Sequence, residues 1–505
     1  MSFNLATILH ESALAQPEKD FLRFPGGIHS YAAVDEASGR VATALRARGF
    51  APGDKIAVQL ANVPEFVFAY FGILKAGLTM VPLNPLLKAD EIAYHLADSD
   101  ARLLIAGTAL AGEVAKALAE VPEVAAVVVG GLAGWPAGAV EFAELLDAED
   151  DGDLYPGAAD DTAVLLYTSG TTGRPKGAEL SHFSLYMTCT IGGQTFGTEP
   201  EDVVLAVLPF FHVYGLSSIL NSAARHARTV SVVRRFEPKA VLEAIERDRV
   251  TIMAGVPTMY HALAVADSSA YDTSSLRIGS SGGAAIPEQV LLAFEAKYGI
   301  PVLEGYGLSE SASTTTVNPG AANRKVLSIG KPIWGVQLRI VDAQDRPLPP
   351  GADQVGEIVL RGHNITKGYY KRPAETAEAF RGGWFHTGDL GYVDEDGFVF
   401  VVDRKKDLVI RGGYNVYPRE VEELLYRHPA VAEAAVIGEP DERLGEEIVA
   451  VVSLKAGASA EPEEIVAWAK ERIAAYKYPR RVRIVAELPK GPTGKITKLP
   501  LRGQG

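Results

Sequence analysis

Tyr167-Thr-Ser-Gly-Thr-Thr-Gly-Arg-Pro-Lys-Gly177 follows directly on the apolar run Ala163-Val-Leu-Leu. A glycine-rich turn after a buried strand presents backbone N–H groups, which together with hydroxyls and a cation suit a polyphosphate. The stretch supplies the hydroxyls of Thr168, Ser169, Thr171 and Thr172 and the ammonium of Lys176. It is not a Walker A loop, because no glycine directly precedes Lys176 and Gly177 replaces the usual Ser or Thr. The stretch therefore predicts a polyphosphate-binding loop of another type.

The flanking sequence alternates short apolar runs with amphipathic helices, a rhythm typical of parallel sheets covered by crossover helices. The pattern predicts two related α/β units, about 1–165 and 166–330. Short alternating strands with Asp and Gly turns then predict a small β-barrel or meander over 331–402. An α+β module is expected over 403–505, with helices beginning near Pro418 and Pro462 and strands near 434–437, 448–454 and 482–485.

Composition narrows the class of protein. The chain has 505 residues, 47% hydrophobic and 22% charged, which predicts several folding units and argues against disorder. A net charge of −14 disfavours a nucleic-acid-binding surface. The single cysteine, Cys189, excludes internal disulfides and multi-cysteine metal sites, and we expect it to be a small buried residue. Neither a signal peptide nor a transmembrane segment is predicted, so we expect a cytoplasmic protein.

Five further stretches resemble motifs of one family in the family's own order. They are Leu208-Pro-Phe-Phe-His-Val-Tyr-Gly215, Gly305-Tyr-Gly-Leu-Ser-Glu310, Trp384-Phe-His-Thr-Gly-Asp389, Asp403-Arg-Lys-Lys-Asp-Leu408 and Pro492-Thr-Gly-Lys-Ile496. With 167–177, which is similar to the AMP-binding signature, they resemble the adenylate-forming superfamily of acyl-CoA synthetases, luciferases and peptide-synthetase adenylation domains. The resemblance implies a large AMP-binding domain over 1–402 and a small mobile domain over 403–505, with a hinge near Lys406.

The nucleotide site implied by this resemblance binds ATP with Mg²⁺. Glu310 follows a turn at the end of an apolar strand, and a carboxylate beside a triphosphate requires a cation between them. The resemblance adds Thr168 as the second metal group. The residues expected to contact ATP or AMP are Thr168, Ser169, Gly170, Thr171, Thr172, Gly173, Lys176, Gly283, Ala284, Glu304, Gly305, Tyr306, Ser309, Asp389, Arg404 and Lys495. Among them, Asp389 and Arg404 would hold the ribose.

The catalytic residues implied are Lys495, His212, Glu310 and Thr168. Lys495 resembles the adenylation lysine, whose cation relieves repulsion between the attacking carboxylate and the α-phosphate. His212 matches an aromatic or histidine gate between the acyl pocket and the thiol path, where we favour gating over general-base catalysis. Rotation of the small domain would then bring CoA into contact with Arg235, Gly412 and Gly413.

The acid and its acceptor are less defined by the sequence. The expected acyl-pocket residues are mostly small and are uncharged: His212, Tyr214, Ser218, Gly283, Gly305, Ser311 and the rest of the run Ser311-Ala-Ser-Thr-Thr. They favour an uncharged medium- or long-chain fatty acid over a coumarate- or benzoate-type aryl acid, and they disfavour a dicarboxylate. CoA is favoured as acceptor, with an acyl carrier protein as the alternative. A non-catalytic AMP sensor on the same fold is the alternative from another class.

Overall fold

The structure is a computed structural model that describes residues 2–168 and 174–502. Its first sheet has seven strands and contains the strand that ends at Thr168. Six pair in parallel, and the last two form an antiparallel hairpin in which Thr168 lies opposite Lys176. The strand order across the sheet is Val140–Glu141, Ala125–Val129, Ala101–Gly107, Lys55–Gln59, Thr79–Pro82, Thr162–Thr168 and Lys176–Ser181.

The second sheet has nine strands with a parallel centre. Their order is Lys331–Pro332, Thr316–Val317, Val302–Tyr306, Ile278–Ser281, Ile252–Gly255, Val203–Ala206, Thr229–Val232, Asp20–Phe24 and Gly27–Ser30. The two large sheets do not coincide with the predicted units, about 1–165 and 166–330. The strands within 20–30 belong to the first unit but join the second sheet, and the strand at 176–181 belongs to the second unit but joins the first sheet. Strand pairing over long sequence separations produces this exchange, and local periodicity carries no signal for it.

The third sheet contributes residues of its last two strands to the lining of the cleft described below. Its antiparallel strands lie in the order Val336–Val341, Gly356–Gly362, Phe385–Val393 and Val399–Arg404. This is the order of an open meander, so the small β-barrel predicted for 331–402 is a sheet in the described part of the chain. The strand Phe385–Val393 carries Asp389 and pairs it with Arg404 on the next strand.

The C-terminal module is an α+β unit, as predicted. Its sheet has the order Tyr414–Val416, Val409–Arg411, Gly445–Leu454 and Val431–Asp441, and Arg481–Ile484 pairs in parallel with Gly445–Leu454. The helices Pro418–Tyr426 and Pro462–Lys470 begin at the predicted prolines and bury Val421, Leu425, Ile465 and Ala469 against this sheet.

The remaining helices cover the sheets of the large domain. Helix Pro64–Lys75 is buried along its length between the two large sheets, where Phe66 contacts Phe210. No helix among the described residues is long and apolar enough to cross a bilayer. The other helices are Thr7–Ala15, Tyr31–Ala47, Ala89–Ser99, Ala111–Glu120, Ala143–Leu146, His182–Thr195, Ser222–Arg225, Pro238–Asp248, Pro257–Val265, Glu288–Tyr298 and Pro373–Ala379, with a π-helix at Tyr214–Asn221 and 3₁₀ turns at Thr108–Leu110, Ser309–Ser311, Ala321–Asn323, Arg381–Gly383 and Leu499–Leu501.

Candidate active site

One cleft of about 2450 Å³ opens where the carboxyl ends of the two large sheets meet the meander and the C-terminal module. Ligands collect at such strand ends in open α/β sheets. The cleft brings together most of the residues singled out from the sequence. Those that line it are Thr168, Lys176, His212, Tyr214, Ser218, Gly283, Ala284, Glu304, Gly305, Tyr306, Ser309, Glu310, Asp389, Arg404, Lys406 and Lys495.

Some predicted residues do not lie on this lining. Ser311 is fully buried, and its hydroxyl accepts from the Leu308 amide (2.8 Å), so it caps a turn instead of facing the acyl pocket. Arg235 is exposed on the surface, and Gly412 and Gly413 form an exposed turn of the C-terminal module. Ser169, Gly170, Thr171, Thr172 and Gly173 lie outside the described residues.

The candidate metal site is built by three oxygens from three segments. Thr168 Oγ1 donates to Glu310 Oε1 over 3.2 Å, and the Tyr369 hydroxyl donates to the same oxygen over 3.0 Å. The backbone of Glu310 is fixed as well, because its carbonyl accepts from the Thr366 amide (2.7 Å). Lys176 lies 5.4 Å above the Tyr369 ring. Hard oxygens beside a cation form a suitable setting for a triphosphate with its metal.

A second part of the cleft lining contains a buried carboxylate. Asp389 is only 4% exposed; the Tyr306 hydroxyl donates to its Oδ2 over 2.6 Å, and Arg404 Nε lies 3.3 Å from its Oδ1. Burial raises the pKa of Asp389 despite the opposing effect of Arg404. The pKa of Arg404 is itself raised, chiefly by Asp389. The group presents an acceptor beside fixed donors, which matches the hydrogen-bonding needs of a diol.

Lys495 reaches into the cleft from the C-terminal module. Gly283 has φ +80°, and a Cβ there would lie 2.6 Å from Lys495 Cε, so the lysine packs where a side chain would otherwise stand. The loop is anchored by Thr258, whose hydroxyl donates to the Gly494 carbonyl over 2.8 Å. Burial, and secondly Arg404, lowers the pKa of Lys495 to about 8.

His212 is held next to the acyl side of the cleft. Asn62 fixes the preceding backbone, because its Oδ1 accepts from the Phe210 amide (2.8 Å) and its amide group donates to Leu208 O (3.0 Å). The Tyr214 amide donates to His212 Nδ1 over 3.3 Å, which leaves the proton of the neutral ring on Nε2. Burial, and secondly Lys495, lowers the pKa of His212 to about 3. The ring is therefore a neutral donor.

The acyl side continues as a hydroxyl-lined pocket along the π-helix. Ser218 Oγ lies 2.7 Å from Ser313 Oγ and 3.0 Å from Thr314 Oγ1. The pocket lining also includes Gly192. A Cβ added to Gly192 would lie 3.8 Å from Thr314 Oγ1. Tyr214 closes one side, with its hydroxyl on Ser280 Oγ at 3.0 Å. One wall of the pocket therefore carries three hydroxyls, that of Ser218 and the two that lie within hydrogen-bond distance of it.

Sequence reasoning missed several residues of the site. Tyr369 and Thr258 each contribute one hydrogen bond to a partner far away in the sequence. Tyr369 is 59 residues from Glu310 and Thr258 is 236 residues from Gly494, so no local pattern reveals either contact. Glu304 was predicted, but its environment was not: burial raises its pKa to about 7, while Arg419 opposes the shift. Ser313 and Thr314 belong to the run 311–315 that was predicted to line the pocket, and the turn that Ser311 caps decides which hydroxyls of this run face the pocket.

Comparison with known protein families shows to which family the chain that forms this site belongs. A model of the AMP-binding enzyme family matches residues 9–370, and one of the AMP-binding enzyme C-terminal domain matches residues 420–495. The chain belongs to the AMP-binding enzyme family. It is similar to a feruloyl-CoA synthase of Amycolatopsis sp, at 38% identity over 97% of this chain and 96% of the relative. It is also similar to a long-chain-fatty-acid–CoA ligase of Bacillus subtilis (strain 168), at 36% identity over 98% and 93%.

Among solved structures, an anthranilate CoA ligase in complex with anthranoyl-AMP matches with a TM-score of 0.93 and 30% identity, covering 99% of this chain and 96% of that one. The predicted family and the α/β fold with a smaller C-terminal domain are confirmed. This AMP-binding enzyme is an AMP-forming acid–thiol ligase that makes an acyl- or aryl-adenylate and uses ATP and CoA. The non-catalytic sensor alternative is set aside.

Proposed function

We propose that this AMP-binding enzyme activates an oxygen-substituted aryl acid as its adenylate at Lys495 and transfers the acyl group to CoA. The observation that carries the choice of acid is the hydroxyl cluster of Ser218, Ser313 and Thr314, with contacts of 2.7 and 3.0 Å, in the pocket wall. These hydroxyls can also hydrogen-bond with ring oxygens, whereas a plain alkyl tail offers them no partner.

In the proposed adenylation step the carboxylate attacks the α-phosphate of ATP and pyrophosphate leaves. Both reactants are anionic, so their approach in a water-poor cleft is repulsive. The Lys495 ammonium lies over Gly283 in the cleft, where it can contact both anions and the charge that develops between them. Asp389 and Tyr306 hold the nucleoside end in place.

Thr168 and Glu310 fit the Mg²⁺ that accompanies ATP. The described residues contain no cluster of three acidic, histidine or cysteine side chains that would cage a metal alone. Mg²⁺ usually takes one or two protein oxygens and completes its shell with water and phosphate oxygens, which is what this pair offers. When bound, the metal neutralises phosphate charge; Tyr369 and Thr168 orient the carboxylate that would hold it.

The lowered pKa of Lys495 predicts how the rate of adenylation depends on pH. Because the pKa of this lysine is lowered to about 8, its cationic form is lost at lower pH than that of a free lysine. We expect kcat/KM for adenylation, measured by ATP–pyrophosphate exchange, to fall as pH rises through about 8. Thioester formation from supplied acyl-AMP should instead rise over this range, because it uses a thiolate. An exchange rate that stays constant to pH 10 would contradict the role of the cation.

We further propose that the thiol step follows rotation of the C-terminal module about Lys406. This residue lies in the short turn between the strands Val399–Arg404 and Val409–Arg411. Gly412 and Gly413, with φ +57° and +82°, form a turn without side chains that lets a slender pantetheine arm approach the backbone. In the arrangement described, they lie outside the cleft, so they would meet CoA only after the module has turned.

A medium- or long-chain fatty acid is the second candidate. The pocket extends past Gly192 and Gly193 to Ser222, deeper than a single ring requires, and the long-chain ligase of Bacillus subtilis is 36% identical. Because the pocket is this deep, fatty acids are included in the experiment that follows.

A panel of acids decides between the two. The purified enzyme is assayed for acid-dependent ATP–pyrophosphate exchange with benzoate, cinnamate and hydroxycinnamates against octanoate, decanoate and palmitate, and for AMP release with CoA or a carrier protein. We expect the highest kcat/KM for a ring-oxygenated aryl acid with CoA. Preference for alkyl acids over every aryl acid would overturn the choice. Release only with the carrier protein would replace CoA as acceptor.

A further inference from the structure

The inner end of the acyl pocket holds a buried guanidinium that the adenylation chemistry does not use. Arg228 is 3% exposed, yet it lines the same cavity as Tyr214 and Ser218. It follows the helical segment 214–225 and contacts Ser222, about two turns from Tyr214. It therefore faces the far end of whatever acid enters past Tyr214.

Protein groups satisfy only part of this guanidinium. Nη2 donates to Ser222 O over 2.8 Å and to Ser222 Oγ over 2.6 Å, but Nε is buried with no acceptor. In the described ranges, 2–168 and 174–502, no carboxylate pairs with Arg228 within 4.0 Å. The nearby Asp202 is already held by Arg277 and by Thr251.

A purely structural role of Arg228 explains the contacts of only one of its guanidinium nitrogens, Nη2. Nη2 caps a carbonyl in the last turn of the helix Ser222–Arg225, which favours a cation at that position. A buried arginine is ordinarily paired, because an isolated charge away from water is costly. Burial lowers the pKa of Arg228 to about 10, so the group stays protonated at neutral pH. Nε has no accessible surface, so the donor left for a ligand in the cavity that Arg228 lines is Nη1, which makes no hydrogen bond to the described residues.

We propose that Arg228 binds a second, distal carboxylate of the acid substrate, so that the enzyme prefers acids that carry an anionic group at the end away from the reacting carboxyl. The proposal rests on the proposed function, because it assumes that the acyl group enters this pocket. The proposal places the group that recognises charge at the inner end of the pocket. The sequence predicted an uncharged acyl tail because the residues near Gly305 are neutral, and Arg228 is not among those residues.

The position of Arg228 also sets a length. The eight-residue π-helix Tyr214–Asn221 separates the entrance at Tyr214 from Ser222, so the guanidinium lies about two helical turns beyond the entrance. Short diacids such as malonate and succinate cannot span from the reacting centre to the guanidinium. A rigid aryl acid with a distal substituent, or a medium-length diacid, can do so. The hydroxyls of Ser218, Ser313 and Thr314 lie along the same path.

The test compares matched acids that differ only at the far end. With the full-length enzyme, 4-carboxycinnamate is assayed against cinnamate and decanedioate against decanoate by ATP–pyrophosphate exchange. We expect the diacid of at least one pair to be favoured in kcat/KM by ~10-fold or more. In Arg228→Met the advantage should be lost, through a decrease of the same ~10-fold or greater size for the diacid with little change for its partner. Arg228→Lys should retain part of the preference.

A neighbouring arginine serves as the control. Arg225 stacks on Tyr186 at 5.4 Å and does not line the cavity, so Arg225→Met should preserve the diacid preference. Equal use of both members of each pair by the wild-type enzyme would overturn the proposal, even if the variants fail to fold. So would an equal loss for both members in Arg228→Met. If no acid of either kind supports exchange, the proposed function itself fails.

Discussion

Replacing Lys495 with alanine should lower the rate of adenylate formation by ~10³-fold or more. The cation lies over Gly283, close enough to Arg404 and Asp389 for their charges to act on its pKa. Without it, the carboxylate and the α-phosphate meet with their repulsion uncompensated, and the developing charge loses its stabilising partner. ATP–pyrophosphate exchange measures this step alone.

The same variant should form acyl-CoA from supplied acyl-AMP at close to the wild-type rate, since that step has no triphosphate. Lys490→Ala is the matched control: it lies on the same loop but pairs with Glu433 at 2.8 Å, outside the cleft lining. We expect it to retain both half-reactions. Equal loss of both half-reactions in Lys495→Ala would show that the lysine supports the fold of the loop and not the first chemical step.

The sequence was most informative where chemistry follows directly from a strand end. Thr168 ends a strand of the first sheet and Glu310 follows a strand of the second, and both were found because a polar residue comes after an apolar run. Asp389, within a strand of the third sheet, was instead found from the family-like motif 384–389. The helices beginning at Pro418 and Pro462 were readable for a similar reason, because proline and acidic residues mark a first turn. Such signals are local, so one chain suffices to detect them.

Local signals fail where a contact joins distant segments. The N-terminal strands Asp20–Phe24 and Gly27–Ser30 add to the second sheet by pairing with Thr229–Val232. Tyr369, Thr258 and Arg228 act through burial or single contacts that only the fold creates. Ser311 shows the converse: it is the right kind of residue in the right motif, but its hydroxyl is used by the Leu308 amide. Three residues further along, Thr314 faces the pocket instead.

Replacing Glu310 with glutamine should reduce adenylation by ~10²- to 10³-fold and raise the Mg²⁺ concentration needed for half-maximal exchange. Glutamine keeps the volume and an acceptor for Thr168 or Tyr369 but removes the negative charge that would hold the metal. The measurement is ATP–pyrophosphate exchange over a Mg²⁺ titration. Thioester formation from supplied adenylate should be little affected, because no triphosphate has to be positioned.

Tyr369→Phe provides the graded comparison for Glu310. It removes one donor at 3.0 Å from Glu310 Oε1 and leaves the charge and the Thr168 contact in place. We expect a ~10-fold loss with a smaller shift in the Mg²⁺ requirement, because the carboxylate is less well oriented but still ionised. If Glu310→Gln exchanges at the wild-type rate with an unchanged Mg²⁺ requirement, the carboxylate does not hold the metal. Thr168 would then contribute through the phosphate alone.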